Sequence, residues 1–213
     1  TFPLPGVVGT CGHSSNGKAA EAYQAFAQGL ARQGYVCLIY DPIGQGERHQ
    51  IVDLERHGTS EHTLLNIGSL AVGRSVMHYR AWDAMRSIDY ILSRPEVDHG
   101  KPVGMTGNSG GGMLTIFMMG FDKRILPAAP GCAVIKQERK FETLGVSDGC
   151  QHIPGEGAHG LEKSDYLILH APKPTLILAA EQDFVEFAGT QAAYQEVAGV
   201  YRTLGVPDNI GLA

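Results

Sequence analysis

The 213-residue sequence lacks any apolar run that approaches the ~20 residues needed to cross a bilayer. It is also short of positive charge: 17 Lys and Arg residues against 22 Asp and Glu residues leave a net charge of −5. Nucleic-acid binding depends on clustered cations that contact phosphates, so this composition argues against a nucleic-acid partner. No repeat or low-complexity stretch divides the chain, and its length predicts a single globular domain over residues 1–213.

Closely spaced metal ligands are also missing. The sequence has no His-x-x-x-His and no Cys-x-x-Cys pattern, so it predicts neither a metal site nor a cofactor. Cys11 and Cys37 fall in predicted core strands and are expected to be inert buried thiols. Cys132 and Cys150 lie in the irregular segment 131–173, where they either stay free or form a disulfide that contributes roughly 3 kcal/mol. A bridge would imply export, so a secreted or periplasmic location is slightly favoured.

What the sequence does contain is an alternation of apolar runs with helical periodicities. The predicted strands are 4–11, 35–40, 102–106, 125–129, 174–180 and 210–213, and the predicted helices are 19–33, 82–92, 113–119 and 194–204. The predicted buried face of the second helix consists of Trp82, Met85, Ile88, Ile91 and Leu92. Segment 41–73 is predicted as a long loop and 131–173 as a loop-rich excursion. This order predicts an α/β fold with a mostly parallel, doubly wound sheet and helices on both faces, incomplete at both ends.

A Gly-x-Ser-x-Gly pattern occupies residues 107–111, between a predicted strand and a predicted helix. In that setting the pattern is typical of the nucleophile elbow of the α/β-hydrolase fold, which strains the serine and exposes its hydroxyl. Glycines are expected on both sides because a Cβ there would collide with the helix that folds back onto the strand. The pattern predicts Ser109 as nucleophile and the Gly110 N–H as one oxyanion-hole donor, with the His13 N–H as the other. A glycine-rich turn with an incidental serine is the alternative.

Residues 12–18 (Gly-His-Ser-Ser-Asn-Gly-Lys) have the glycine–lysine spacing of a phosphate-binding loop. The apolar run 36–40 then ends at Asp41, as a magnesium-positioning strand would. Position 19 is Ala, however, where such a loop needs a Ser or Thr hydroxyl to bind the metal. The nucleotide-binding interpretation is therefore the weaker one.

A serine nucleophile needs a base and an orienting carboxylate, which follow in the order Ser, Asp or Glu, His in this fold. Asp183 is the predicted acid because it follows a strand, with Glu181 and Glu186 as nearby alternatives. No histidine follows Asp183, so the base is expected beyond Ala213. The alternatives within the chain, in an unusual order, are His152, His159 and His170.

Five segments together resemble a known family: 41–48 (Asp-Pro-Ile-Gly-Gln-Gly-Glu-Arg), 61–63 (Glu-His-Thr), 82–90, 94–98 (Arg-Pro-Glu-Val-Asp) and 107–112. The series resembles the bacterial α/β-hydrolases labelled acetyl-xylan-esterase-like, over nearly the whole chain. The resemblance implies a carboxylic ester hydrolase, often associated with plant cell-wall polysaccharides, whose Ser and Asp map to the predicted nucleophile and acid. A peptidase or amidase on the same triad and a non-catalytic binding protein remain the alternatives, because fold relatives cleave many bonds.

Five further residues are candidates for substrate binding. Gln45, Glu47 and Arg48 follow the carboxyl end of a predicted strand, where ligands bind in open α/β sheets, and Glu61 and His62 lie in the same predicted loop. Arg48 is suited to a sugar hydroxyl or a uronate carboxylate, although a structural ion pair is the alternative. The expected partner is an ester-bearing carbohydrate or small molecule.

Overall fold

The computed structural model of the chain describes residues 2–55, 58–142 and 148–213. Its strands are β1 (Gly6–Thr10), β2 (Val36–Tyr40), β3 (Val103–Asn108), β4 (Ile125–Gly131), β5 (Thr175–Ile177) and β6 (Ile210–Leu212). All of them pair in parallel, in the order β2-β1-β3-β4-β5-β6. The predicted parallel sheet is therefore confirmed, and each predicted strand overlaps one of these six.

The helices in the described ranges alternate with the strands. They are α1 (Glu21–Arg32), α2 (Thr59–Ala71), α3 (Val76–Leu92), α4 (Gly110–Phe121), α5 (Gln137–Glu142), α6 (Lys163–His170) and α7 (Phe187–Thr203). The four predicted helices correspond to α1, α3, α4 and α7, while α5 and α6 lie within the excursion 131–173. Each described helix is too short or too polar to cross a membrane.

The prediction of a long loop over 41–73 is wrong, because α2 lies within it. The buried side chains of this helix are polar: Glu61, His62, Asn66 and Ser69. Its apolar residues Leu64 and Ile67 are exposed instead. Hydrophobic periodicity finds a helix by its apolar buried face, so a helix that buries its polar face escapes it.

Helices cover both faces of the sheet. A Cβ on Gly9 of β1 would lie 2.5 Å from the Phe26 ring of α1, whereas a Cβ on Gly6 would lie 3.3 Å from Ile91 of α3. Residues three apart in a strand point to opposite faces, so α1 and α3 lie on opposite sides. Strand β2 is half-buried because it is the edge strand.

The buried face of α3 also differs from the prediction. Trp82 is 55% exposed, and Met85 is only half-buried. Ile88 and Ile91 are buried as predicted, but the inward face is offset from Trp82 and Met85. It consists of Val76, Met77, Arg80, Ala84, Ser87, Ile88 and Ile91. This offset puts a charged residue, Arg80, into the interior directly beneath the loop after β1.

Candidate active site

Ser109 occupies a strained turn between β3 and α4. Its backbone angles are φ 54° and ψ −119°, in the region that side-chain-bearing residues rarely adopt. The turn is fixed on both sides, because the Ser109 N–H donates to the Gly131 carbonyl at 2.9 Å and the Met113 N–H donates to the Ser109 carbonyl at 2.8 Å. Such strain persists only when surrounding contacts impose it, and it is characteristic of functional sites.

The glycines beside Ser109 are required by close approach, but mainly to Thr10 at the end of β1 rather than to the helix that the prediction named. A Cβ on Gly107 would lie 2.2 Å from Thr10 Oγ1, and one on Gly111 would lie 2.0 Å from the Thr10 carbonyl oxygen. Gly112 is equally confined, with the Gly131 carbonyl oxygen 2.2 Å away. The Thr10 hydroxyl donates to the Gly111 carbonyl at 2.8 Å, so the end of β1 is tied to the first turn of α4.

The loop after β1 lies against this turn. A Cβ on Gly12 would be 3.3 Å from Ser109 Cβ, and one on Gly110 would be 3.6 Å from the His13 ring. Within the described ranges neither the His13 N–H nor the Gly110 N–H donates to a protein acceptor. Two adjoining N–H donors without protein acceptors are what an oxyanion hole requires.

Gln45, a predicted substrate-binding residue, is fully buried beneath that loop. Its Nε2 donates to the Gly12 carbonyl at 3.0 Å, and its Oε1 accepts from the Ser14 N–H at 3.3 Å. The side chain therefore holds the peptides on both sides of His13, and it does not line the cleft described below.

Arg80 holds both halves of the turn from below. Its Nη2 donates to the Gly110 carbonyl at 2.9 Å and to the Cys11 carbonyl at 3.4 Å. Within the described residues its Nε and Nη1 atoms have no hydrogen-bond partner. Arg80 is only 2% exposed and has no carboxylate partner among the described residues. Its positive charge next to Ser109 is therefore neither screened by water nor neutralised by an ion pair.

A cleft of about 450 Å³ opens above Ser109. Its lining residues are His13, Tyr23, Thr59, Asn108, Ser109, Cys132, Asp148, Asp183 and Phe184. A side recess of about 20 Å³ leads from it past Met113, Ala133 and Ile135. The recess has room for roughly one water-sized group. The cleft thus brings together the predicted nucleophile, the predicted acid and the loop that carries His13.

Asp183 is held at the rim of the cleft by two donors. The Val185 N–H donates to its Oδ1 at 3.3 Å, and the Cys132 thiol hydrogen-bonds to the carboxylate. Burial, together with this carboxylate, raises the pKa of Cys132 to about 11, so the thiol is protonated at neutral pH. Glu181 and Glu186 do not line the cleft, and Glu186 forms an ion pair with Arg139.

Two of the three alternative histidines have other partners, and the third is exposed. The His170 Nδ1 atom is 2.9 Å from the Met119 carbonyl beneath α4, and His152 is paired with Glu156. His159 is exposed beside Gly155. None of these three lines the cleft of Ser109, so the structure lends no support to an unusual order of the triad.

Glu47 and Arg48 line a different groove, together with Lys18, Asp41 and Asp83. Glu47 is 84% exposed and pairs with Lys18. The Arg48 Nη1 donates to Asp83 Oδ2 at 2.6 Å and to the Asp41 carbonyl at 3.1 Å. The ion pair considered as the alternative for Arg48 is therefore present.

Glu61 and His62 lie on α2 and are both buried. The Glu61 carboxylate accepts hydrogen bonds from the backbone N–H groups of residues 50–51, so it shapes that loop. The His62 Nε2 donates to the Ile43 carbonyl at 2.6 Å, and its Nδ1 lies 2.9 Å from the His13 imidazole. His62 thus reaches the cleft indirectly, through His13.

The possible Cys132–Cys150 disulfide is not formed, because the two thiols point to different partners. Both are free. Cys132 contacts Asp183, while Cys150 Sγ lies 3.3 Å from His13 Nε2. The free state that was left open for these cysteines is the one observed.

Sequence reasoning missed Arg80, Asp148 and the role of Cys150. Arg80 carries a detectable signal, because it is the charged residue on a mostly apolar face of α3 at helical spacing. Asp148 lies within the excursion and places its Oδ2 3.3 Å from His13 Nδ1. Contacts between positions so far apart leave no local pattern in a sequence.

No protein-family model matches the chain, and no curated protein matches it. Solved structures do match. A methylesterase is 22% identical with a TM-score of 0.72; the match covers 100% of this chain and 44% of that protein. A structure from Bacteroides fragilis assigned as an acetyl xylan esterase is 15% identical with a TM-score of 0.76. The match covers 100% of this chain and 59% of that protein. The acylaminoacyl peptidase of Pyrococcus horikoshii is 18% identical with a TM-score of 0.66. The match covers 100% of this chain and 32% of that protein.

These likenesses establish the fold. The chain has the α/β-hydrolase fold, as the sequence predicted. It spans between about a third and three fifths of the length of these proteins. At identities of 15–22% the substrate of a neighbour does not transfer to this chain.

Proposed function

We propose that the chain carries the nucleophile, the acid and the oxyanion hole of a serine carboxylesterase acting on acetyl or similar esters of carbohydrates or small molecules. The observation that carries the proposal is the strained Ser109, at φ 54°, in one cleft with Asp183. The adjoining N–H groups of His13 and Gly110, which have no acceptor within the described residues, support it. The esterases among the structural neighbours favour the same reaction class.

In the proposed mechanism the Ser109 hydroxyl attacks the ester carbonyl carbon. The two N–H groups stabilise the negative charge on the tetrahedral oxygen, which commonly contributes a few kcal/mol. A histidine oriented by Asp183 takes the proton from Ser109 and returns it to the leaving alcohol, and water then hydrolyses the acyl-enzyme. In this fold the histidine follows the strand after the acid; that strand is β6, so the base is proposed to lie after Ala213.

Arg80 is proposed as a positioning residue for this reaction. It touches the carbonyl groups that flank the two donors, and its buried charge lies close to where the oxyanion forms. A charge in a dry site is worth more than one in water, so its field favours the transition state.

The side recess supports a short acyl group. Its volume of about 20 Å³ accommodates a methyl-sized substituent. Its lining includes the apolar Met113, Ala133 and Ile135 together with the polar Lys140, Asp148 and Gln151. An acetyl group fits such a recess, whereas a butyryl group adds two methylenes that must remain in the cleft. The exposed Phe184 at the rim supplies an apolar surface for the alcohol part of the ester.

The test uses p-nitrophenyl acetate and butyrate with the full-length protein that contains this chain. Ser109→Ala should lower kcat/KM by several orders of magnitude, because no other group supplies the nucleophile. Ser15→Ala, an exposed serine in the loop after β1, is the matched control and should leave turnover unchanged. Near wild-type turnover by Ser109→Ala, or faster cleavage of the butyrate, would contradict the assignment.

A peptidase or amidase is the second candidate, favoured by the acylaminoacyl peptidase among the neighbours. It uses the same serine, so the Ser109 variant does not distinguish the two. Comparison of a p-nitrophenyl ester with a peptide anilide does, since a peptidase cleaves both and an esterase only the first. Failure of a fluorophosphonate probe to label Ser109 in the full-length protein would instead point to a non-catalytic binding protein.

A further inference from the structure

Three soft ligand atoms converge beneath the loop that carries His13. They are Nε2 of His13, Nδ1 of His62 and Sγ of Cys150, and all lie within 4.8 Å of one another. The two nitrogens are 2.9 Å apart, and the sulfur is 3.3 Å from the His13 nitrogen. His62 and Cys150 are each 1% exposed, so the cluster is shielded from solvent on two sides.

The outer nitrogen of each imidazole is held by an acceptor. His62 Nε2 lies 2.6 Å from the Ile43 carbonyl oxygen, which can only accept, so this nitrogen carries the proton. His13 Nδ1 lies 3.3 Å from the Asp148 carboxylate, which favours a proton there too. Metal-binding histidines in proteins have this arrangement, in which a carbonyl or carboxylate fixes the tautomer.

The inner nitrogens then have no proton between them. With both outer nitrogens protonated, two neutral imidazoles direct lone pairs at each other across 2.9 Å, which is repulsive unless a cation or a proton lies between them. A metal ion bound by both nitrogens accepts both lone pairs and so removes the repulsion, and the Cys150 thiolate supplies the third ligand.

We propose that His13, His62 and Cys150 form a binding site for a zinc-class divalent cation. Two imidazoles and one thiolate are the ligands that Zn²⁺ takes, at about 2.0–2.1 Å for nitrogen and 2.3 Å for sulfur. A tetrahedral ion holds such atoms roughly 3.3–3.6 Å apart. The two separations from His13 Nε2 must therefore open by a few tenths of an ångström, and His62 Nδ1 and Cys150 Sγ, which lie within 4.8 Å of each other, must approach by about 1 Å. Binding releases the Cys150 thiol proton to solvent, and the thiolate and Asp148 balance the two charges of the ion.

The site joins three separate parts of the fold. His13 follows β1, His62 lies on α2, and Cys150 lies in the short turn Gly149–Gln151. His62 and Cys150 are 49 and 137 positions from His13 in the sequence, so their spacing gave no sign of a metal site. The fold nevertheless brings their ligand atoms together. A bound ion therefore clamps the loop whose N–H is proposed for the oxyanion hole to α2 and the excursion.

The experiment measures metal directly, so its outcome is independent of whether the protein hydrolyses esters. The chain is stripped with a chelator, loaded with Zn²⁺, dialysed and assayed by mass spectrometry of metal content. One equivalent per chain is expected for the wild type, and a loss of most of it for Cys150→Ser and His62→Gln. Cys37→Ser, in strand β2, and the exposed His99→Gln are the matched controls and should retain the ion.

A spectroscopic measurement on the wild type covers the case in which a variant does not fold. Co²⁺ loading should give a tetrahedral visible spectrum with a thiolate-to-cobalt charge-transfer band, and X-ray absorption of the zinc form should show one sulfur ligand. Wild-type protein that retains no more zinc than Cys150→Ser, or a coordination shell without sulfur, overturns the proposal. Equal loss in the two control variants overturns it as well.

Discussion

Replacement of Gly111 by Ala tests whether the backbone contact at the elbow confines this position. The new Cβ would lie 2.0 Å from the Thr10 carbonyl oxygen, and real Cβ contacts essentially never fall under 3.0 Å. The end of β1 and the start of α4 must therefore separate by about 1 Å. Both sides of the contact are backbone, so no side-chain rotation relieves it.

The expected cost follows from these contacts. Overpacking of a rigid interior costs up to about 3 kcal/mol, and loss of the Thr10 hydroxyl hydrogen bond to the Gly111 carbonyl costs about 1 kcal/mol. The higher helix propensity of alanine returns about 1 kcal/mol. The free energy of unfolding should fall by about 2–3 kcal/mol, which for a chain of this size lowers Tm by about 5–10 °C.

Gly110→Ala is the matched control, since it makes the same chemical change one residue earlier. The nearest atom to its Cβ is Gln151 Nε2 at 3.4 Å, an ordinary contact with a flexible side chain. This variant should stay within about 0.5 kcal/mol of the wild type. Urea unfolding and thermal melts followed by circular dichroism measure both. If Gly111→Ala is as stable as Gly110→Ala, the steric account of the motif is wrong.

Three further predictions concern other parts of the chain. Arg80→Met should lower esterase kcat about tenfold with little change in KM, because the positive charge near the oxyanion and the hydrogen bonds to the backbone are lost. Arg86→Met, on the exposed face of α3, is the control and should change neither kcat nor KM. Burial opposes ionisation of Glu156, but hydrogen bonds from His152 and Lys163 outweigh it and lower its pKa from 4.5 to about 2. Its contribution to the free energy of unfolding is therefore complete above about pH 4.5 and is lost as the pH falls towards 2. Glu156→Gln should lower the free energy of unfolding by about 3 kcal/mol at pH 7 and weaken its dependence on pH below about 4.5, as urea unfolding at several pH values would measure. All four cysteines should be alkylated in unreduced, denatured protein, and mass spectrometry showing a bridged pair would contradict the free thiols.

The sequence predicted the sheet well because each strand is an apolar run bounded by turn residues. It predicted the shared cleft of Ser109 and Asp183 because the carboxyl ends of parallel strands meet at one edge of a sheet. Both inferences rest on short-range pattern and general topology. They hold without knowledge of any side-chain contact.

The rest could not be predicted because it depends on contacts between distant segments. Helix α2 buries Glu61 and His62, which no apolar period reveals. Gln45 was expected to meet substrate, but its position beneath the loop after β1 depends on how 42–46 folds back against that loop. Arg80 was missed because Trp82 suggested the wrong face of α3, and an exposed aromatic residue mimics a buried one in sequence.

The glycines and the serine of the elbow are constrained for different reasons. Gly107 and Gly111 are confined by backbone atoms that belong to the sheet and α4, so any descendant that keeps the fold must keep them. Ser109 bears a conformational cost at φ 54° that only chemistry justifies. In a lineage released from catalysis this position should drift to glycine or asparagine, which adopt that angle more readily, while the flanking glycines persist. The residue at the centre of the motif, rather than the motif's glycine frame, therefore records whether a distant homologue is still under selection as an enzyme.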